Sequence, residues 1–233
     1  MQNLKQFIKS RFPIISRIWK HIILSSYKMK SPNKIFEEIY AKNRWADSQS
    51  LSGPGSSFVQ TEEVRRALPV LIKELGIRHV LDVPCGDFSW MSQVDLSINY
   101  TGGDIVEELI KENQQKYSLG NRKFLKIDVL TDPLPEADLL LCRDCLVHFS
   151  YKHIFQALRN IKASQCTYVL LTTFTSRKNN RDITTGAWRP INFQVAPFNF
   201  PPPLVLIDEK CKEDNGAYID KQLGLWKISD ILR

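Results

Sequence analysis

The sequence predicts an α/β fold in which helices cover both faces of a mostly parallel sheet. The first observation is that helical and strand patterns alternate along residues 61–174. The second is that the strand segments are almost entirely apolar, as in 137–142 and 167–174, which is typical of strands buried on both faces. A length of 233 residues with 43% hydrophobic residues suits one main domain with an appendage.

The net charge of +7 belongs to the N-terminal arm, residues 1–34. The arm contains eight Lys or Arg and no Asp or Glu, which leaves 24 bases against 25 acids in the remainder. A nearly neutral body disfavours a nucleic-acid partner, because such proteins need positive charge over the folded binding face. The five cysteines follow no secretory signal, so we expect reduced thiols in a cytoplasmic protein.

The pair Cys142 and Cys145 is the only close pair of cysteines. We interpret them as small buried residues at a strand end, because no second pair stands at metal-ligand spacing. A zinc or redox site is the less favoured alternative, and we expect no metal.

Apolar residues recur in the arm at three- and four-residue steps, which predicts a basic amphipathic helix interrupted at Pro13. Charges divide the apolar runs too often for a membrane span or a signal peptide. Two interpretations remain open. The helix lies on an anionic inner membrane face or docks on a partner, or it packs on the domain as an accessory helix with a solvated basic face.

Residues 35–60 begin helically and then form a Ser- and Gly-rich loop between Trp45 and Phe58. We expect a cap whose backbone amides and hydroxyls meet a ligand, since long polar loops in compact domains are commonly functional. A flexible linker is the alternative. The main domain then spans residues 61–233.

The remaining elements follow in order. Thr61 precedes two acids, Glu62 and Glu63, which predicts a helix start. The predicted helices are 61–75, a turn near Trp90, 105–117 and 151–162. The predicted strands are 79–83, a strand ending at Asp104, 124–129, 137–142, 167–174, and a closing pair at 204–207 and 225–228. Ligands of such sheets bind beyond the carboxyl ends of the strands.

The turn after the first strand carries the strongest functional signal. Asp82 ends an apolar strand, Gly86 follows in the turn, and Asp104 stands 22 residues after Asp82. Such spacing is typical of a site for a nucleoside cofactor. The turn has one glycine and an acid, Asp87, where a dinucleotide site needs G-x-G-x-x-G. A pyrophosphate is therefore disfavoured, whereas a ligand with a sulfonium and an ammonium is tolerated.

Four stretches resemble the ordered motifs of the class I S-adenosylmethionine-dependent methyltransferases. They are 81–88 (motif I, with Pro84 and Phe88 where glycines are usual), Gly103-Asp104-Ile105, Ile127-Asp128-Val129, and 138–149 (motif IV). The resemblance covers residues 61–175 and implies a Rossmann-like, seven-stranded, mostly parallel sheet with S-adenosylmethionine as cofactor. The combination D-V-P-C-G-D resembles a bacterial subset associated with surface-polysaccharide genes.

The resemblance and the cap together predict the cofactor contacts. The residues are Asp82, Pro84, Cys85, Gly86, Asp104, Ile105, Asp128 and Arg143, with Trp45, Ser52 and Gly53 from the cap. For Asp104 the alternative is a helix cap, and for Asp128 a cap or turn residue.

Motif IV also predicts the catalytic groups. His148 is the candidate base, because a histidine titrates near cellular pH, and Asp144 is expected to orient it or the acceptor. A packed histidine and a helix-starting acid are the alternatives. In 175–203, Arg177, Arg181 and Arg189 accompany Trp188, which suggests an acceptor lobe for anionic groups beside an apolar or sugar face. A proline-stiffened structural crossover is the alternative.

We therefore expect a methyltransferase that methylates an oxygen atom of a small or glycan-linked acceptor. The acceptor is either anionic or uncharged. Two alternative functions remain open. One is a nicotinamide-dependent oxidoreductase, against which the single-glycine turn argues. The other is a non-catalytic adaptor that binds cofactor and acts through its basic arm.

Overall fold

A computed structural model describes residues 13–45 and 50–231. The first twelve residues of the predicted arm, and Ala46 to Gln49 of the cap, lie outside the described residues. Within the ranges that the structure describes, the α-helices before the first strand are α1 (Pro13–Tyr27), α2 (Pro32–Ala41) and α3 (Glu62–Glu74). The domain continues as β1 (His79–Asp82), β2 (Asn99–Asp104), α4 (Glu107–Tyr117), β3 (Arg122–Lys126), β4 (Leu139–Cys142), α5 (Tyr151–Ala163), β5 (Tyr168–Phe174), β6 (Val205–Asp208) and β7 (Lys221–Lys227).

The seven strands form one sheet in the order β3-β2-β1-β4-β5-β7-β6. Strands β1 to β5 pair in parallel, and β7 is antiparallel to both β5 and β6. The carboxyl ends of β1, β2, β4 and β5 therefore meet at one edge. Because β7 runs the other way, its first residue, Lys221, lies opposite Phe174 at that same edge.

Alternate residues of the central strands pack on opposite faces of the sheet. Leu81 and Leu140 join a core with Ile154 and Leu158 of α5. The intervening Val80 and Leu139, on the other face, pack with a second core that contains Leu68 of α3. Both faces are thus buried, which confirms the predicted α/β fold and its seven-stranded, mostly parallel sheet.

Two strand boundaries differ from the prediction. β3 ends at Lys126, so Asp128 lies in the turn after the strand. β7 begins at Lys221 rather than Leu225, because its polar first residues interrupt the apolar pattern on which the prediction depended.

Helix α1 packs only in part. Tyr27 forms a small core with Ile35 and Ile39 of α2, whereas Ile18, Trp19 and Ile22 are each more than half exposed. Within the described ranges, every helix falls short of the length and apolarity that crossing a bilayer requires.

Candidate active site

A cavity of about 590 Å³ lies at the edge where the carboxyl ends of the parallel strands meet. Its volume is within the range usual for small-molecule sites. The structure brings most of the predicted site residues to its lining: Trp45, Ser52, Gly53, Asp82, Pro84, Cys85, Gly86, Asp104, Ile105, Asp128, Arg143, Asp144, His148 and Trp188. Arg177, Arg181 and Arg189 do not line it.

Asp82 ends β1 and is 2% exposed. The Tyr100 hydroxyl donates to its Oδ2 atom at 2.7 Å. Burial raises the pKa of Asp82 to about 7, although the Tyr100 hydrogen bond and Arg143 oppose that shift. A carboxyl group with this pKa is only partly ionised at neutral pH, so a nearby ligand cation would favour its charged form.

Asp104 ends β2 and is equally inaccessible. Its carboxylate accepts hydrogen bonds from the backbone N–H of Gly86 at 3.1 Å and of Val106 at 2.9 Å. It therefore connects the turn after β1 at residues 83–88, which we call the motif turn, to the segment that leads into α4. Burial raises the pKa of Asp104 to about 6. Within 13–45 and 50–231, no basic side chain forms an ion pair with Asp82 or Asp104.

Gly86 lets the cap loop lie directly on the motif turn. Its φ is +56°, and a Cβ there would stand 2.2 Å from the Ser52 hydroxyl oxygen. That oxygen accepts a hydrogen bond from the Asp87 N–H at 3.1 Å. The backbone needs glycine at position 86 for both its left-handed conformation and this close contact.

Asp87 has a different role from the one that the sequence suggests. Its Oδ2 atom accepts hydrogen bonds from the Ser50 hydroxyl and the Leu51 N–H, both at 2.8 Å, and Asp87 does not line the cavity. The acid at position 87 thus anchors the cap loop, and, besides burial, its charge also contributes to the raised pKa of Asp104 in the cavity. Phe88, with φ +57°, packs its ring 5.0 Å from those of Tyr100 and Phe124.

Asp144 follows β4 with φ +52°, and its N–H donates to the Thr172 hydroxyl at 2.8 Å. Its Oδ2 atom lies 2.6 Å from Lys221 Nζ and 3.3 Å from Arg143 Nη1. Burial raises the pKa of Asp144, but Lys221 and Arg143 outweigh burial and hold the pKa at about 2. Among the described residues, no hydrogen bond joins His148 to Asp144, so Asp144 does not orient the ring by such a bond. The predicted contact of Asp144 with the acceptor stays a prediction.

Arg143 and Lys221 also meet a second acid. Arg143 Nη2 lies 2.6 Å from Glu209 Oε2, and Lys221 Nζ lies 3.3 Å from the same oxygen. We call these four residues, Arg143, Asp144, Glu209 and Lys221, the charge cluster. Arg143 Nη2 also donates to the Gly55 carbonyl at 2.8 Å, so this predicted cofactor contact holds the cap loop in place.

The sequence did not indicate Glu209 or Lys221. Both reach the cavity edge through the antiparallel β6–β7 pair, in which Asp208 lies opposite Gln222. The sequence offered one signal for them, a lysine at the start of the closing strand. A lysine buried in a sheet requires a carboxylate partner.

His148 lies in the turn after β4. Its Nδ1 atom is 2.9 Å from the Ala187 carbonyl oxygen. A carbonyl only accepts hydrogen bonds, so Nδ1 carries the hydrogen and Nε2 keeps its lone pair. Burial lowers the pKa of His148 to about 4, which keeps the ring neutral at pH 7. The ring lies 4.6 Å from that of Trp45.

The three arginines predicted to bind substrate have other surroundings. Arg189 is fully buried and donates to the carbonyls of Leu146, Val147 and Phe149 at 2.7–3.0 Å. It therefore helps to hold the turn that carries His148. Its side chain adds hydrogen bonds to carbonyls of which two, those of Leu146 and Val147, also accept from the backbone N–H groups of Phe149 and Arg189. Arg177 pairs with Asp220 at 2.8 Å, and Arg181 is exposed.

Aromatic side chains line the β4–β5 side of the cavity. The ring of Trp188 lies 4.8 Å from that of Tyr218 and 6.0 Å from that of Phe174. Phe36 of α2 lies 5.3 Å from Phe149 and 6.0 Å from Trp45. We call this set, Phe36, Trp45, Phe149, Phe174, Trp188 and Tyr218, the aromatic wall; only Trp45 and Trp188 were predicted. Among the described residues, no cluster of His, Cys, Asp or Glu could hold a metal ion.

Comparison with known proteins identifies the fold. No protein-family model matches the sequence, and no curated protein matches it significantly. Human N-acetylserotonin methyltransferase, solved in complex with S-adenosylmethionine, is similar with a TM-score of 0.56 and 15% identity over 94% of this chain and 68% of that one. The structure of LaPhzM is similar with a TM-score of 0.50 and 10% identity over 72% of this chain and 55% of that one. The chain thus has the Rossmann-like methyltransferase fold.

Proposed function

We propose that the protein is an S-adenosylmethionine-dependent methyltransferase that methylates an oxygen atom of a small or glycan-linked acceptor. One observation carries the proposal. His148, neutral and with Nε2 free to accept a proton, lines the same cavity as two buried carboxylates, Asp82 and Asp104, that form no ion pair within the described residues. The carboxylates suit a cationic nucleoside. The lone pair on Nε2 can take an acceptor proton, and burial, which lowers the pKa of His148 to about 4, makes it a weaker base than an exposed histidine.

The residues present fit the cofactor. Each carboxylate oxygen of Asp104 accepts one backbone N–H and has further lone-pair capacity for the ribose hydroxyls. Asp82 and the turn at Gly86 would hold the amino-acid portion. When bound, the cofactor would supply a methyl group activated on a sulfonium sulfur. The positive charge of the cofactor would then compensate Asp82 and Asp104, which form no ion pair within the described residues.

Methyl transfer is an in-line displacement, so the protein contributes mainly alignment and proton removal. His148 Nε2 would accept the acceptor's hydroxyl proton as that oxygen becomes nucleophilic. The Nδ1 contact with Ala187 fixes the ring and its tautomer. Arg189 keeps the turn in place, and the cap loop at Ser52 and Gly53 would exclude water from the cofactor.

Calorimetry tests the cofactor directly. The full chain is titrated with S-adenosylmethionine, S-adenosylhomocysteine and NAD⁺ in turn. We expect binding of the first two only, and the absence of binding by either sulfur nucleoside would refute the proposal. NAD⁺ binding in their place would favour the oxidoreductase.

Transfer is tested with methyl-labelled S-adenosylmethionine and a panel of nucleotide sugars and glycans. A His148→Ala variant should lower kcat by about 10²–10⁴-fold while cofactor affinity remains unchanged. An equal loss of cofactor affinity would instead assign His148 a structural role. A polysaccharide acceptor is supported by the resemblance of the D-V-P-C-G-D turn to the glycan-associated subset.

We further propose that α1 contacts an anionic membrane surface. Ile18, Trp19 and Ile22 are more than half exposed, and residues 1–34 contain bases without acids, a combination that suits an interfacial helix. Cosedimentation with phosphatidylglycerol vesicles should be lost in an Ile18→Ser/Ile22→Ser variant and kept in Leu119→Ser, which removes an even more exposed leucine elsewhere. Equal sedimentation of all three proteins would refute the proposal.

A further inference from the structure

The charged side chains around the cavity are unevenly divided. Among the described residues, six carboxylates line it, against two permanently charged bases. The acids are Asp82, Asp104, Asp128, Asp144, Glu213 and Asp214, and the bases are Arg143 and Lys221. A bound sulfonium nucleoside would compensate part of this charge at Asp82 and Asp104, and would leave the β4–β5 side acidic.

Neither base is free to receive an anionic group. Arg143 is 6% exposed, and its guanidinium is engaged by Glu209, Asp144 and the Gly55 carbonyl. Lys221 is 4% exposed and lies between Asp144 and Glu209. A phosphate or carboxylate on the acceptor would have to break a buried ion pair to gain a cation, which is costly.

Glu213 adds an acid to this region without a cation of its own. A Cβ on Gly55 would lie 3.0 Å from Asp144 Oδ2, 3.6 Å from Lys221 Nζ and 3.9 Å from Glu213 Oε1, so these side chains surround the same point of the cap loop. Glu213 lines the cavity, and no ion pair within 4.0 Å involves it in the described part of the chain. Together with the charge cluster, Glu213 makes three carboxylates against two cations. The carboxylates are those of Asp144, Glu209 and Glu213, and the cations are Arg143 and Lys221.

The aromatic wall provides the complementary apolar surface. Trp188 and Tyr218 pack edge to face with centroids 4.8 Å apart, and Tyr218 belongs to the same β6–β7 connection as Glu213. Aromatic faces beside a carboxylate favour a ring and a protonated amine. The guanidinium of Arg177 lies 5.7 Å from the Tyr218 ring and 6.0 Å from the Phe174 ring, but it is paired with Asp220 and does not line the cavity.

We propose that the β4–β5 side of the cavity selects a ring-bearing acceptor that carries a protonated amine or no charge, and that Glu213 sets this preference against acceptors with carboxylate or phosphate groups. This inference rests on the proposed methyltransferase function, because only that function makes the bound ligand a methyl acceptor. It replaces the anionic acceptor that Arg177, Arg181 and Arg189 suggested from sequence.

Three probes that share a phenol ring test the selection: tyramine (cationic), 4-ethylphenol (neutral) and 4-hydroxyphenylacetate (anionic). Ligand-observed NMR titrations of the full chain at pH 7.5 give their Kd values, with and without S-adenosylhomocysteine. Tyramine should bind at least about tenfold more tightly than 4-hydroxyphenylacetate, as expected for one charge contact near a protein surface. The neutral phenol should lie between the two.

A Glu213→Gln variant should bring the affinity for tyramine to that for 4-ethylphenol and leave 4-ethylphenol itself unchanged. Glu136→Gln, which alters an exposed carboxylate outside the cavity, should leave all three values unchanged. The proposal is overturned if the anion binds as tightly as tyramine, if Glu213→Gln preserves the wild-type ranking, or if no probe binds at about 5 mM. Failure of S-adenosylhomocysteine to bind would instead refute the methyltransferase, a result that the probe ranking does not affect.

Discussion

Two groups of carboxylates at the same edge of the sheet differ in their protonation. Burial raises the pKa values of Asp82 and Asp104 to about 7 and about 6. The Asp144 side chain is 25% exposed, and its pKa is held at about 2 because Lys221 and Arg143 outweigh the effect of burial. The parallel strands β1 and β2 bring only acids to this edge, whereas the antiparallel β7 brings a lysine. The fold itself compensates one carboxylate, and a ligand must compensate the other two.

The largest effect is expected from removing the cation that β7 supplies. A Lys221→Met change would leave Asp144 and Glu209 buried with Arg143 as their only partner, and should lower the free energy of unfolding by about 3–5 kcal/mol. Urea unfolding measures it. Lys111→Met, which breaks an exposed pair with Glu107, should cost at most about 0.5 kcal/mol. Equal effects of both changes would contradict the role assigned to the charge cluster.

At the other carboxylate group we expect a loss of binding with a smaller loss of stability. Asp104→Asn should weaken S-adenosylmethionine binding by about ten- to a hundredfold, the usual range for hydrogen bonds to a charged group. The neutral side chain removes a charge that burial disfavours, but its amide group replaces an oxygen that accepts from Gly86 or Val106. Because the two effects oppose each other, the free energy of unfolding should fall by at most about 1–3 kcal/mol. Calorimetry and thermal unfolding measure the two effects. Asp95→Asn, an exposed acid outside the cavity, is the matched control, and a variant that unfolds while binding normally would reverse our assignment.

The opposite pKa shifts also predict opposite pH dependences. A folded pKa raised above the unfolded value means that Asp82 and Asp104 favour folding below about pH 4, and that this contribution is lost as pH rises through 6 to 7. Asp144 behaves in reverse, and its contribution is lost as pH falls from about 4 to about 2.

The pH dependence of cofactor affinity should reflect the ionisation of Asp82 and Asp104. A cationic ligand favours the ionised carboxylates, so binding should release protons near pH 6 and strengthen by about tenfold between pH 5.5 and 7.5. Calorimetry in two buffers of different ionisation enthalpy measures the proton release. Asp104→Asn should reduce it, and a pH-independent affinity with no proton release would argue against the raised pKa values.

The smallest effect is expected at the anchor of the cap loop. Asp87→Asn keeps the side-chain shape but replaces one acceptor oxygen, so the contacts with Ser50 and Leu51 weaken. Cofactor affinity should fall by about three- to tenfold through faster dissociation, as stopped-flow measurements would show. Ser92→Ala, whose hydroxyl donates only to the Ser89 carbonyl in this region, should leave dissociation unchanged.

The comparison also separates what the sequence could predict from what it could not. Asp82, Gly86 and Asp104 follow short apolar strands, so local pattern places them at the cavity, where the structure has them. Glu209 and Lys221 depend on the register of an antiparallel pair more than 30 residues beyond β5. No local pattern specifies that register.

Arg189 illustrates a second limit. Its spacing near Trp188 resembles a binding surface, but its side chain is buried and donates to the carbonyls of the turn at 146–149. Which carbonyls lie within reach of a side chain is a property of the folded backbone and is not visible in the sequence. The aromatic wall was missed for a similar reason, since its members come from segments that lie far apart in the sequence.

The connection between β6 and β7 begins and ends at the cavity edge, because the two strands pair antiparallel. The connection is attached to the sheet at its two ends, by β6 and β7, and its own residues belong to no strand. These residues include Glu213, Asp214 and Tyr218. Lengthening such a loop costs little chain entropy and shifts neither strand. Under the proposed function, we therefore expect changes in that one segment to alter which acceptors bind, while Asp82, Gly86 and Asp104 on the other strands keep their places.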